Sequence, residues 1–240
     1  MERLPIWLRK TLANGVHLVT ASGAVWGFLT LLAIWDENYR LAIIYMIVAM
    51  LVDGFDGMLA RWFDVKTYAN GVDGGLMDNI IDYLNYVVVA SLLLVRVDGL
   101  MPSGLVMPAA LSILLTSAYQ FSQVDAKSDD DSYFFKGFPS VWNFLVVYMM
   151  LLGLNSWINF ALLVICNILI FVPVKYLYPT RNTRFRKFTL GLTYMYIILG
   201  VWGLMQYPDV PKWVTTASFV YVAFYAVMSF FPKFGAAESA

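Results

Sequence analysis

Polar residues interrupt this chain rarely, and the stretches between them are long and apolar, without the charged face of an ordinary surface helix. Following each apolar run to its next polar break predicts eight helices, over 15–34, 41–60, 76–95, 100–122, 138–154, 157–177, 188–206 and 213–231. A helix that crosses a bilayer needs roughly 20 mainly apolar residues, and these runs are close to that length. The first run follows Arg3, Arg9 and Lys10, as the core of a secretory leader would. It is longer than such a core and further spans come after it, so it reads as a retained first helix. No internal repeat or low-complexity linker divides the sequence. The expected fold is all-α: a polytopic integral membrane helical bundle of about eight transmembrane helices, forming one membrane-embedded domain over residues 1–240.

Composition narrows the function classes. The chain is 60% hydrophobic and 13% charged, with a mean hydropathy of +0.69, so no large soluble domain fits beside the spans. Lys and Arg number 16 and so do Asp and Glu, and this zero balance argues against a nucleic-acid binder. The lone Cys166 excludes a disulfide framework within the chain and a cysteine metal site. The bases are unevenly placed: under an eight-helix topology only Arg40, Arg96 and Lys212 fall on the side opposite the N-terminus. The positive-inside bias then puts both termini in the cytoplasm.

The acids change the picture more. Asp53 and Asp56 lie near the end of the second run, and Asp78 and Asp82 near the start of the third. An ionised carboxylate at the bilayer centre costs about 2.5 to 3.5 kcal/mol on insertion scales, so four of them demand a reason. The members of each pair are three or four residues apart, which puts them on one helix face. The two helices run in opposite directions around a loop over 62–73, and at about 1.5 Å per residue both pairs reach about 6 to 12 Å below the cytoplasmic edge. Four carboxylates at one depth repel unless protons or cations intervene. An all-oxygen donor set suits hard divalent cations, and a di-metal centre there suits phosphoryl transfer. Taken alone, the residues also allow acids paired with Arg61 and Lys66, or a proton or cation pathway.

The full pattern is more specific. Asp53-Gly54-Phe55-Asp56-Gly57-Met58-Leu59-Ala60-Arg61, twelve residues, then Gly74-Gly75-Leu76-Met77-Asp78-Asn79-Ile80-Ile81-Asp82 resembles the signature of the CDP-alcohol phosphatidyltransferases. The spacer, longer than the family's general pattern, is similar to that of a bacterial branch whose acceptor alcohol is choline. The stretches Gly15–Gly23 and Phe134–Asn143 resemble the same branch. The resemblance implies transfer of the phosphatidyl group of CDP-diacylglycerol to choline with release of CMP. It implies that Asp53, Asp56, Asp78 and Asp82 hold divalent cations, Mn²⁺ or Mg²⁺ and two in number, and that Asp82 takes the proton of the acceptor hydroxyl. Gly57, Ala60, Arg61 and Gly74 fall on positions associated with the CDP moiety. It further implies a bacterial inner-membrane protein with its site facing the cytoplasm, surrounded by membrane lipids and pairing as a homodimer.

Elementary chemistry is consistent with these roles. Gly57 and Gly74 remove side chains where a flat base and backbone approach, Ala60 keeps that face shallow, and Arg61 can hold phosphate oxygens bidentately. Choline is a quaternary ammonium best met by aromatic faces. Tyr86, one turn beyond Asp82, and Trp142 are the candidates. His17 has either a polar role near the nucleotide or a part in helix packing, and Gly23 and Gly27 are spaced for close helix contact. Other acceptors of the family, inositol phosphate, glycerol phosphate or serine, stay open. An anionic one would call on bases such as Arg184 or Arg186, within the basic run Arg181–Lys187. A cation or proton transporter is the remaining alternative from another class.

Overall fold

The computed structural model describes residues 4–123, 134–172, 175–177 and 186–230. Each of the eight predicted runs contains a helix. In chain order these are α1 (Ile6–Trp35), α2 (Tyr39–Trp62), the single turn α3 (Val65–Tyr68), α4 (Gly74–Asp82), a π-helical turn Tyr83–Val88, α5 (Val89–Arg96), α6 (Val106–Phe121), α7 (Trp142–Leu152), α8 (Ser156–Phe171), α9 (Arg186–Leu204) and α10 (Lys212–Phe230). A two-stranded antiparallel ribbon, β1 (Phe134–Lys136) with β2 (Lys175–Leu177), interrupts the otherwise helical chain, with Phe134 opposite Leu177. Among the described residues three helical stretches are long and apolar enough to cross a membrane: Ile6–Trp35, Tyr39–Trp62 and Gly74–Arg96. Shorter apolar helices follow them, including Val106–Phe121 and Ser156–Phe171.

Several boundaries differ from the sequence reading, for local reasons. α1 starts at Ile6 rather than at 15, because Arg9 and Lys10 do not break a helix whose first turns are exposed. α6 starts at Val106 rather than at 100, since Pro102 and Gly104, at φ +81°, hold the chain in turns. α7 starts at Trp142 rather than at 138 because Gly137 and Ser140 both take left-handed backbone. α8 stops at Phe171, just before Pro173, which disfavours helical geometry in the residue preceding it.

The chain divides into two compact units, residues 1–96 and 97–240. In the first, α1 packs along α2 and also along α4, the π turn and α5. Its inner face carries Ala13, Val16, His17, Thr20, Gly23, Gly27 and Thr30, all buried. Its outer face presents Leu18, Val25, Phe28 and Leu32, all exposed. Small and polar residues inward with large apolar residues outward is the arrangement of a helix packed on helices and bathed in lipid. Asn38 caps α2 by accepting from the Leu41 amide at 3.2 Å, and Arg96 ties the far end of this unit by donating to the Trp35 carbonyl and the Glu37 carboxylate, both at 2.9 Å.

The second unit has the same character. α6 buries Ala109, Ala110, Ile113 and Ser117 and exposes Met107, Leu111 and Leu115. Thr116 of α6 donates to Asn167 of α8 at 2.7 Å, a polar link between two apolar helices. Asp129, Asp130, Asp131, Arg181 and Arg184 lie outside the described residues, as do the side chains of Arg186 and Lys187.

Candidate active site

Every described group of the candidate site except Trp142 belongs to the first unit. α2 delivers Asp53, and α4, capped by Asp73 accepting from the Leu76 amide at 3.0 Å, delivers Asp78 and Asp82. One carboxylate oxygen from each of Asp53, Asp78 and Asp82 lies within 4.8 Å of the others, and all three residues are half-buried. Asp56 stands outside that tight group. It is buried, with the Thr20 side chain of α1 and the Gly57 backbone amide beside its carboxylate, and it feels the charges of Asp78 and Asp53. The three-acid cluster fits a hard divalent cation by its donor chemistry, since carboxylate oxygens on one small radius are what such ions bind.

The residues expected to meet the nucleotide fall into two places. Arg61, exposed at the end of α2, folds back over Gly57: its Nη1 lies 3.7 Å from where a Cβ on that glycine would sit. Gly74, at the start of α4, faces His17, whose Cε1 is 3.2 Å from the same point on Gly74. The Nε2 of His17 is 3.3 Å from the carbonyl oxygen of Ala69, so the imidazole joins α1 to the spacer. The spacer itself folds: Val65 of α3 and Ala69 just after it are buried against Ala13 and Val16 of α1, and Leu59, Ala60 and Phe63 pack around them. Ala60 therefore has a packing role here. Arg9 holds the outer side of α3 by donating to the Tyr68 hydroxyl at 2.8 Å, with its guanidinium 5.6 Å from the ring centroid.

The two aromatic candidates have different settings. The hydroxyl of Tyr86, in the π turn, donates to Oδ2 of Asp53 at 2.7 Å, which brings this side chain to the acids. Trp142 belongs to the second unit and is fully enclosed: its indole N–H donates to Ser117 at 2.7 Å and Phe138 packs edge-on against its ring at 5.0 Å. With no ring face open, its surroundings are those of a core residue.

Sequence reasoning missed Asn85 and the π turn that carries it. Asn85 donates to the Gly23 carbonyl at 3.1 Å and to the Ile81 carbonyl at 3.0 Å. Gly23 and Gly27 make room for this turn, since a Cβ on Gly23 would lie 2.7 Å from Ile81 Cγ2 and one on Gly27 would lie 2.8 Å from Asn85 Oδ1. A polar amide side chain within the apolar stretch after Asp82 was the available signal. π turns recur at functional sites because they re-aim the side chains that follow.

Residues 10–173 match the family CDP-alcohol phosphatidyltransferase. The chain is similar to the phosphatidylcholine synthase of Legionella pneumophila, with 38% identity over 222 residues, 90% of this chain and 86% of the relative. It is similar to the protein of that name from Mesorhizobium japonicum, at 37% over 81% of this chain and 71% of the relative. The Pseudomonas aeruginosa protein of that name is 36% identical over 85% of each chain. The match spans both the acid cluster and the helices that carry it, and the chain belongs to the CDP-alcohol phosphatidyltransferase family.

Proposed function

We propose that this protein transfers the phosphatidyl group of CDP-diacylglycerol to choline, giving phosphatidylcholine and CMP. The observation that carries the reading is the meeting of Asp53, Asp78 and Asp82 within 4.8 Å, inside the family signature, in a chain similar throughout to proteins named phosphatidylcholine synthase. Asp53, Asp78 and Asp82, together with Asp56, would hold divalent cations, two Mn²⁺ or Mg²⁺ ions. When bound, these would neutralise the pyrophosphate of the donor and the charge that develops on the leaving phosphate.

The protein's own groups do the rest. Arg61, with Gly57 and Gly74, which carry no side chain, takes up the CDP part, while the diacylglycerol tails stay in the bilayer along the apolar outer faces of the helices. Asp82 accepts the proton of the choline hydroxyl as its oxygen forms a bond to the phosphorus that carries diacylglycerol. The bond from that phosphorus to the CMP oxygen breaks, and CMP leaves with the electron pair. Tyr86 is the aromatic side chain beside the acids that could receive the trimethylammonium group.

The bias of Lys and Arg along the sequence supports eight spans in a single domain over 1–240, with both termini and the acids on the cytoplasmic side of a bacterial inner membrane. A homodimer is the assembly we expect. The test supplies the purified full chain with CDP-diacylglycerol, Mn²⁺ and labelled choline, inositol phosphate, glycerol phosphate or serine in turn. Label in lipid from choline, matched by CMP and reduced at least 10²-fold by Asp82→Asn, is the expected result. Label only from another alcohol, or cation flux without CMP, would sink the proposal.

A further inference from the structure

We infer that Tyr86 is a positioning residue for Asp53, holding that carboxylate in its metal-binding orientation. Asp53 is alone among the three clustered acids in coming from α2, while Asp78 and Asp82 share one helix face and are set by one backbone. Its orientation relative to the other two therefore depends on contacts across helices. The Tyr86 hydroxyl makes such a contact, donating at 2.7 Å to Oδ2, a charge-assisted bond from a half-buried phenol.

The phenol is itself well held. It sits within the π turn, next to Asn85, whose amide donates to the carbonyls of Gly23 and Ile81. A rigid hydroxyl aimed at a ligand carboxylate is the kind of outer contact that orients a metal ligand, and loss of such a contact typically costs about 10- to 100-fold in metal affinity or activity. This role differs from recognition of choline by the ring, because it belongs to the hydroxyl and acts on metal affinity.

The inference rests on Asp53, Asp78 and Asp82 being the metal site, so wild-type protein is measured first. The probe is Mn²⁺ alone, titrated into the detergent-solubilised full chain and followed by the electron paramagnetic resonance signal of the free ion. A wild-type chain that takes up no Mn²⁺ overturns the metal reading, and this inference with it. If wild type binds, Tyr86→Phe is expected to weaken Mn²⁺ binding about tenfold, with the metal-free melting temperature unchanged and the choline KM at saturating metal within twofold of wild type. In an Asp53→Asn background the same change is expected to have little further effect on Mn²⁺ binding, because the oriented carboxylate is already gone. Unchanged Mn²⁺ affinity in Tyr86→Phe overturns the inference. So does a raised choline KM without a metal effect, which would leave Tyr86 to the acceptor. A variant that loses metal only because the metal-free protein melts earlier or fails to fold overturns it as well, since Tyr86 would then serve helix packing.

Discussion

A methyl group added to α1 at Gly27 is expected to slow catalysis while leaving the protein folded. A Cβ at that position would lie 2.8 Å from Asn85 Oδ1 and 2.9 Å from Leu84 Cδ2. Unstrained carbon contacts lie at about 3.5 to 4.0 Å, so the Leu84 and Asn85 side chains, and the π turn with them, are pushed from α1 by about 0.6 to 1.2 Å. Overpacking of this size costs about 1 to 3 kcal/mol, and the better helix propensity of alanine returns about 1 kcal/mol. The net loss of stability is then about 1 kcal/mol. The displaced turn begins directly after Asp82, the proposed proton acceptor, and a misplacement near 1 Å there costs about 10²-fold in rate. Gly27→Ala is therefore expected to lower kcat between about 10- and 100-fold, measured as Mn²⁺-dependent CMP release in mixed micelles. Gly15→Ala supplies the control, because it lies on the same helix and a Cβ there meets nothing within 4 Å. It should keep its rate and gain up to about 1 kcal/mol. A Gly27→Ala protein working within twofold of wild type would refute the reasoning, as would Gly15→Ala and Gly27→Ala losing rate equally.

Arg61→Lys should raise the KM for CDP-diacylglycerol about tenfold, since a bidentate fork is replaced by a point charge; a change confined to the choline KM would count against its phosphate role. His17→Phe removes the contact to the Ala69 carbonyl and should cost about 1 kcal/mol. Hydrogen exchange is expected to speed up across 63–73, and unchanged protection there would show that the imidazole does not hold the spacer. Chelation of divalent ions should abolish turnover, with recovery on adding back Mn²⁺ or Mg²⁺; activity that survives chelation would remove the metal role.

The helices were legible because apolar runs between polar breaks reflect a simple constraint, the satisfaction of backbone hydrogen bonds in lipid. The acids were legible for the complementary reason, since Asp53, Asp56, Asp78 and Asp82 are costly in such runs and stand out there. Helical spacing placed Asp78 and Asp82 on one face, and the structure joins Asp53 to them. That Asp56 turns toward Thr20 instead depends on which way α2 rotates against α1, and no pattern within α2 states that. α3 was hidden because Val65 and Ala69 are too few to show a period, and they gain meaning only against Ala13 and Val16. The chain is 17% aromatic, so composition could not separate Tyr86, hydrogen-bonded to Asp53, from Trp142, sealed in the core of the other unit. The spacing of Gly23 and Gly27 did announce a close contact, and the structure identifies what fills it: Ile81, Leu84 and Asn85.

These packing details bear on the chemistry through the energy of the acid cluster. Two unit charges 4.8 Å apart repel by about 3.5 kcal/mol at an effective dielectric of 20, and three ionised carboxylates at that spacing make three such pairs. Neither α2 nor α4 would gather those charges by itself. What they share is α1, which packs along both, with its small-residue stripe seating the π turn and its His17 and Thr20 reaching the spacer and Asp56. The repulsion is thus opposed by apolar packing about a helix that carries none of the acids, and a bound divalent cation would reverse it. α1 is in this sense part of the candidate site. Changes at Gly23 or Gly27 should therefore act on metal affinity and rate before they act on folding, whereas at Gly15, where no neighbour stands in the way, the same chemical change should leave metal affinity and rate as they are.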